Sequence, residues 1–176
     1  ISIGDDIIIN GTIGDHGAAV MAVREGIDIK TELKSDCASL NKIISSVCEY
    51  GESVKFMRDP TRGGVAAILN EIVEEKEFGI EIYETALPYR EEVLSLSELL
   101  GLDPLFMANE GKFITFCRNL DSENIINSMK KNELGKNSAI IGKVTSDNRG
   151  MVIIKSLYDT GRILDWPKAD PLPRIC

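Results

Sequence analysis

"SVKFMRDPTRGGVAAILNEIVEE", Ser53 to Glu75, changes its apolar period part-way through. Ser53 to Arg58 reads as a strand. From Thr61 to Glu75 the apolar residues Val65, Ile68, Leu69, Ile72 and Val73 fall on one helical face and leave the glutamates outside. Between the two lies Asp59-Pro60-Thr61-Arg62-Gly63-Gly64. Asp59 suits an N-cap and Pro60 the first helical position, where a missing N–H costs nothing. Capping does not account for Arg62, Gly63 and Gly64 together, because each glycine in a first turn costs about 1 kcal/mol relative to alanine. Glycines there also allow close approach to a helix N-terminus, which favours an anion, and Arg62 adds a guanidinium fork. Both readings stand on the residues alone.

Outward from this junction, strand and helix signals alternate. Strands are expected at Asp6–Asn10, Gly79–Glu84 and Lys112–Arg118, then in a closing group at Ser138–Thr145, Met151–Leu157 and Arg162–Asp165. Helices are expected at Ala18–Glu25, Ala38–Tyr50, Arg90–Leu100 and Ser122–Lys131. In the Ala38–Tyr50 helix, Leu40, Ile43, Ile44, Val47 and Cys48 follow the spacing of a buried stripe. Alternation that ends in clustered strands implies an α/β (α+β) domain with a mixed sheet covered by helices. No internal linker or repeat interrupts it. From Trp166 the periodicity stops, and Pro167, Pro171 and Pro173 favour an extended tail that ends in Cys176.

Composition narrows the function classes. The 176 residues suffice for one domain with a real core. A net charge of −8 argues against a nucleic-acid surface, which needs clustered Lys and Arg. No apolar run approaches the length that spans a bilayer, and no signal-like start is visible. The chain begins without Met and enters a strand almost at once, as a piece lacking its N-terminal part would, or a processed terminus. The cysteines Cys37, Cys48, Cys117 and Cys176 form no CxxC pair, and His16 is the single histidine, so no metal set is expected. Cys37, Cys48 and Cys117 read as small apolar residues of a reduced, cytoplasmic protein. Cys176 lies outside any periodic segment, where a thiol is open to chemistry.

Two further stretches hold candidate chemistry. "ANEGKF", Ala108 to Phe113, puts Glu110 in a turn before a strand, either with Lys112 as a surface ion pair or as a general base. "GTIGDHG", Gly11 to Gly17, has glycines but no Walker lysine. Asp15 there reads as a helix cap and His16 as structural.

Taken in order, "GTIGDHG", "SDCASL", "MRDPTRGG", "LNEI", "LGLDPLFMANEGK", "AIIGKV" and the terminal "LPRIC" resemble the HypE family of hydrogenase-maturation carbamoyl dehydratases over essentially the whole chain. Ser39 stands where that pattern has proline, which touches only a helix start. The resemblance implies a PurM C-terminal-domain-like fold for residues 1–166 and a mobile tail, 167–176, ending in a carrier cysteine. The family's N-terminal ATP-binding domain is absent from this stretch, so turnover by the stretch alone is not expected. It further implies that a HypF-type carbamoyltransferase loads Cys176. ATP with Mg, held mainly by the N-terminal domain, then drives dehydration of the thiocarbamate to a thiocyanate, with Glu110 as base. The cyano group passes to a HypC–HypD-type complex for a NiFe hydrogenase, and the full-length protein is a homodimer. Asp59, Thr61, Arg62, Gly63, Gly64, Asn109 and Lys112 are the implied anion- and intermediate-binding set. Two alternatives stand beside this reading. One is another PurM-superfamily ATP-dependent synthetase, similar to aminoimidazole ribotide or selenophosphate synthetase. The other is a non-catalytic carrier and docking module.

Overall fold

A computed structural model of the chain describes residues 1–27, 33–158 and 160–167. One sheet of seven strands forms the middle: β1 (Asp6–Ile9), β2 (Val54–Arg58), β3 (Gly79–Tyr83), β4 (Ile114–Cys117), β5 (Ala139–Thr145), β6 (Val152–Lys155) and β7 (Gly161–Ile163). Their spatial order is β2-β4-β1-β5-β3-β6-β7. Pairing is antiparallel except between β3 and β6, which run parallel, so the sheet is mixed as expected. The helices are α1 (Asp15–Arg24), α2 (Asn41–Cys48), α3 (Gly64–Val73), α4 (Glu91–Leu100) and α5 (Asn119–Met129).

The inner strand β1 explains why both faces need helices. Ile7 and Ile9 point into a cluster with Val65, Ile68, Leu69, Ile72 and Val73 of α3. Ile8 points the other way, into Ile43 and Val47 of α2 and Ile125, Ile126 and Met129 of α5. Successive side chains of a strand face opposite sides, so an unbroken apolar run marks a strand covered twice. All three isoleucines are fully buried. A smaller cluster joins α1 to α4 through Ala18, Ala22, Val93, Leu96 and Met107. Among the described residues no helix is long and apolar enough to cross a membrane.

Helix α3 departs from its expected start. It begins at Gly64 rather than Thr61, its N-cap is Gly63 at φ 68°, and no side chain caps it. Asp59 is exposed and Pro60 lies before the helix, so the capping reading of Asp59-Pro60 is corrected. Magnitudes explain how the helix does without a cap. A side-chain cap contributes about 1 kcal/mol, whereas each buried Val, Ile or Leu of the α3 stripe contributes about 1.5–3 kcal/mol. Packing dictates where this helix sits. Gly64 lets it sit close, since a Cβ there would stand 2.5 Å from the carbonyl oxygens of both Leu105 and Met107.

The cysteines divide differently from expectation. Cys117 is buried, but Cys48 lies on the outer side of the short helix α2 and Cys37 on a surface segment, both exposed. Cys48 is the last residue of α2, one step round the helix from Val47 and off the face that Ile43 and Val47 bury. Burial, and then the nearby Asp6, Asp5 and Asp121 carboxylates, push the Cys117 thiol up to about 12. Cys176 lies outside the described residues.

Two outcomes are expected. Gly64→Ala should lower stability by more than about 2 kcal/mol in urea melts, through both its positive φ and the backbone contact. Iodoacetamide on the native protein should label Cys37 and Cys48 and spare Cys117. The neutral Cys117 thiol favours the fold fully below the ordinary thiol pKa of about 8.5, and that contribution is lost as pH rises toward 12.

Candidate active site

Sheet register gathers the motifs at one edge. Ile9 at the end of β1 and Arg58 at the end of β2 both pair with Ile114 at the start of β4. Ala139, the first residue of β5, pairs with Ile9 at the same edge. The segments that follow β1 and β2 and precede β4 therefore emerge side by side. They are "GTIGDHG", "DPTRGG" and "ANEGK", distant in sequence and adjacent in space.

Asn109 joins all three and is fully buried. Its Nδ2 donates to the Pro60 carbonyl at 3.1 Å and the Met107 carbonyl at 3.0 Å. Its Oδ1 accepts from the Gly14 N–H at 2.8 Å. Its own backbone N–H also reaches Pro60, at 3.1 Å. A carboxamide has two donors and one acceptor oxygen, and here both kinds are used on backbone groups of the three stretches. Asn10 does similar work one layer away, accepting from the Phe113 N–H at 2.7 Å and donating to the Leu134 carbonyl at 3.0 Å.

Lys112 is not a surface partner of Glu110. It is buried, with Nζ 2.7 Å from Asp36 Oδ2 and 3.6 Å from Asp15 Oδ2. Asp15 stands at the first position of α1 behind a glycine N-cap, so it pairs with Lys112 and accepts from the Thr12 hydroxyl instead of capping the helix. His16 Nδ1 meets the Ser35 hydroxyl at 2.9 Å, which fits its structural reading. Glu110 is exposed, and its backbone N–H donates to Asp36 Oδ1 at 3.0 Å. Gly111 leaves no room for a side chain, because a Cβ there would overlap the Asp36 carbonyl. The arrangement presents one solvent-facing carboxylate, Glu110, on a turn held from beneath by buried charge. A carboxylate so held can take a proton from a bound group.

Of the anion-binding candidates, Thr61 is half-buried and its carbonyl accepts from Gly64 N–H at 3.2 Å. Arg62 and Asp59 are exposed. Gly63 faces the chain's own continuation: a Cβ there would stand 3.1 Å from Pro167. Just before it, Leu164 is clamped through its carbonyl by Asn70 Nδ2 at 3.0 Å. The chain beyond β7 thus runs along α3 toward the DPTRGG turn. Among the described residues no group of three or more His, Cys, Asp or Glu could hold a metal ion. Sequence reasoning missed Asp36 and the role of Asp15. The available signal was Lys112 itself, since a lysine leading into an apolar strand needs carboxylate partners.

Residues 2–155 match the family described as AIR synthase related protein, C-terminal domain. The chain belongs to that family. Within it, the chain is similar to the carbamoyl dehydratase HypE of Escherichia coli K12, 42% identical over 176 residues, which are 100% of this chain and 52% of that protein. It superposes on HypE in a crystal structure of a HypE–HypF complex with TM-score 0.90 and 44% identity, covering 95% of this chain and 54% of that one. It likewise matches a hydrogenase maturation protein HypE crystallised in complex with ATP, with TM-score 0.89 and 34% identity over 97% of this chain and 52% of that one. The chain spans about half the length of the curated relatives it matches.

Asn109→Ala should destabilise the domain by about 2–3 kcal/mol, because it strands the buried Gly14 N–H and the Met107 carbonyl, while the Pro60 carbonyl keeps the backbone N–H of residue 109. A urea titration of the domain checks this.

Proposed function

We propose that this chain is the C-terminal domain of a HypE-like carbamoyl dehydratase, residues 1–166, with a tail, 167–176, whose last residue carries the substrate. The enzyme converts an S-carbamoyl group on Cys176 to a thiocyanate for hydrogenase maturation. ATP with Mg is held mainly outside this chain. The observation that carries the reading is the path of the chain at Pro167, which rests on Gly63 at the edge where Glu110 stands exposed. Nine residues follow, Lys168 to Cys176. Extended, they span roughly 30 Å, enough for the terminal thiol to return to Glu110 and also to visit a partner. Proline stiffening lowers the ordering cost of either visit.

The net change on sulfur is loss of the elements of water. A carbamoyl oxygen leaves poorly, and ATP, when bound, makes it a leaving group. This chain's residues supply the rest. Cys176 sulfur holds the carbon, and Glu110 takes amide protons as the C≡N bond completes. Arg62, beside the α3 N-terminus, with Asp59, Thr61, Gly63, Gly64, Asn109 and Lys112 shaping or supporting that turn, favours the anions that arise. The partners are a HypF-type carbamoyltransferase for loading and a HypC–HypD-type complex for delivery. The enzyme works as a homodimer in the cytoplasm, where free thiols persist.

Intact mass of the full-length protein, incubated with the carbamoyltransferase, carbamoyl phosphate and ATP, tests this. Wild type should gain about 43 Da and then fall to about 25 Da above the free thiol, as carbamoyl becomes cyano on a cysteine nucleophile. Glu110→Gln should load and stop at the first mass. Arg62→Ala should load and dehydrate slowly, with its fold intact. Cys176→Ala should not load at all, and loading that survives in it would overturn the reading.

A further inference from the structure

The carboxylate of Asp36 straddles the Glu110 turn. Its side chain is only 5% exposed. Oδ1 accepts from the Glu110 N–H at 3.0 Å, and Oδ2 accepts from Lys112 Nζ at 2.7 Å. Between those two residues Gly111 lies so close to the Asp36 carbonyl that any Cβ would overlap it. An ionised carboxylate only accepts hydrogen bonds, and both oxygens of this one are spent on a single turn. The segment that brings it is itself tied down. Ser35 Oγ accepts from the Cys37 N–H at 3.2 Å and meets His16 Nδ1 of α1 at 2.9 Å.

Charge balance does not account for Asp36. Lys112 already has Asp15 at 3.6 Å, itself buried, so the cluster holds two carboxylates for one ammonium. An extra buried carboxylate is costly unless it makes hydrogen bonds that nothing else can make. The bond no other group here makes is the one to Glu110 N–H.

We propose that Asp36 is the positioning residue for Glu110, fixing the backbone from which the base reaches the carbamoylated thiol. This rests on Glu110 being that base. Asp36 does not touch the reacting group; it sets the distance from which Glu110 works. Displacement of a catalytic group by about 1 Å can cost about 100-fold.

The test uses full-length protein loaded with carbamoyl on Cys176 and followed by intact mass after ATP is added. Asp36→Ala leaves Lys112 paired with Asp15, so the fold and carbamoyl loading should persist and KM for ATP should stay unchanged. The dehydration rate should fall by about 10–100-fold. Asp36→Asn has one acceptor oxygen for two donors and should fall between wild type and Asp36→Ala; it decides the matter if Asp36→Ala does not fold. Dehydration within twofold of wild type in either folded variant would overturn the proposal, as would a loss of loading or a changed KM equal to the loss of rate. Glu110→Gln runs in parallel. Normal dehydration in it removes the base assignment and this proposal with it, whereas a stall in Glu110→Gln with normal Asp36 variants removes only the proposal.

Discussion

The carboxamide of Asn109 ties three stretches of chain to one another where the site is built. Gly14, Pro60 and Met107 are bound to one buried side chain. Each sits on a segment that the sheet delivers to the same edge. A fully satisfied buried amide is rigid because its alternatives leave donors or acceptors bare. The turn carrying Glu110 begins at the next residue, so its position follows from that amide. The tight approach of Gly64 to Leu105 and Met107 fixes α3 against the same segment from the other side.

On this scaffold the charges separate into two layers. Asp15, Lys112 and Asp36 lie beneath, buried and mutually bound. Glu110 lies above, exposed. Among the described residues the buried layer gives the surface carboxylate a fixed base without pairing with it, as the proposed acid–base role requires. The root of the tail meets the edge from the α3 side, through Asn70 at Leu164 and Gly63 at Pro167. On the proposed carrier role, an arm rooted there needs little ordering to return to the site.

Much of this was legible in the residues. Period and breakers gave the strands and helices, because the apolar stripes of α3 and α2 and the unbroken run of β1 are local signals. Motif order gave the family. What was not legible was pairing across distance. Nothing in the spacing says that Lys112 meets Asp36 rather than Glu110, or that Asp15 joins them, since those contacts depend on which strand lies beside which. The glycines of DPTRGG were ambiguous for a similar reason. They admit close approach, but only the fold reveals that the approaching groups are the Leu105–Met107 backbone and Pro167. Cys48 misled because it closes α2 one step past Val47, off the face that Ile43 and Val47 bury, although its spacing fits the stripe.

The central claim is that the terminal thiol comes to Glu110. Disulfide trapping measures that encounter directly. In full-length protein with Cys37 and Cys48 replaced by serine, Glu110→Cys puts a thiol on the turn, and mild oxidation followed by peptide mapping reads its partner. The account predicts an intramolecular disulfide between position 110 and Cys176, formed faster than with a cysteine placed at exposed Leu120. A Cys176 that stays reduced, or that pairs with Leu120→Cys as readily as with Glu110→Cys, would contradict it.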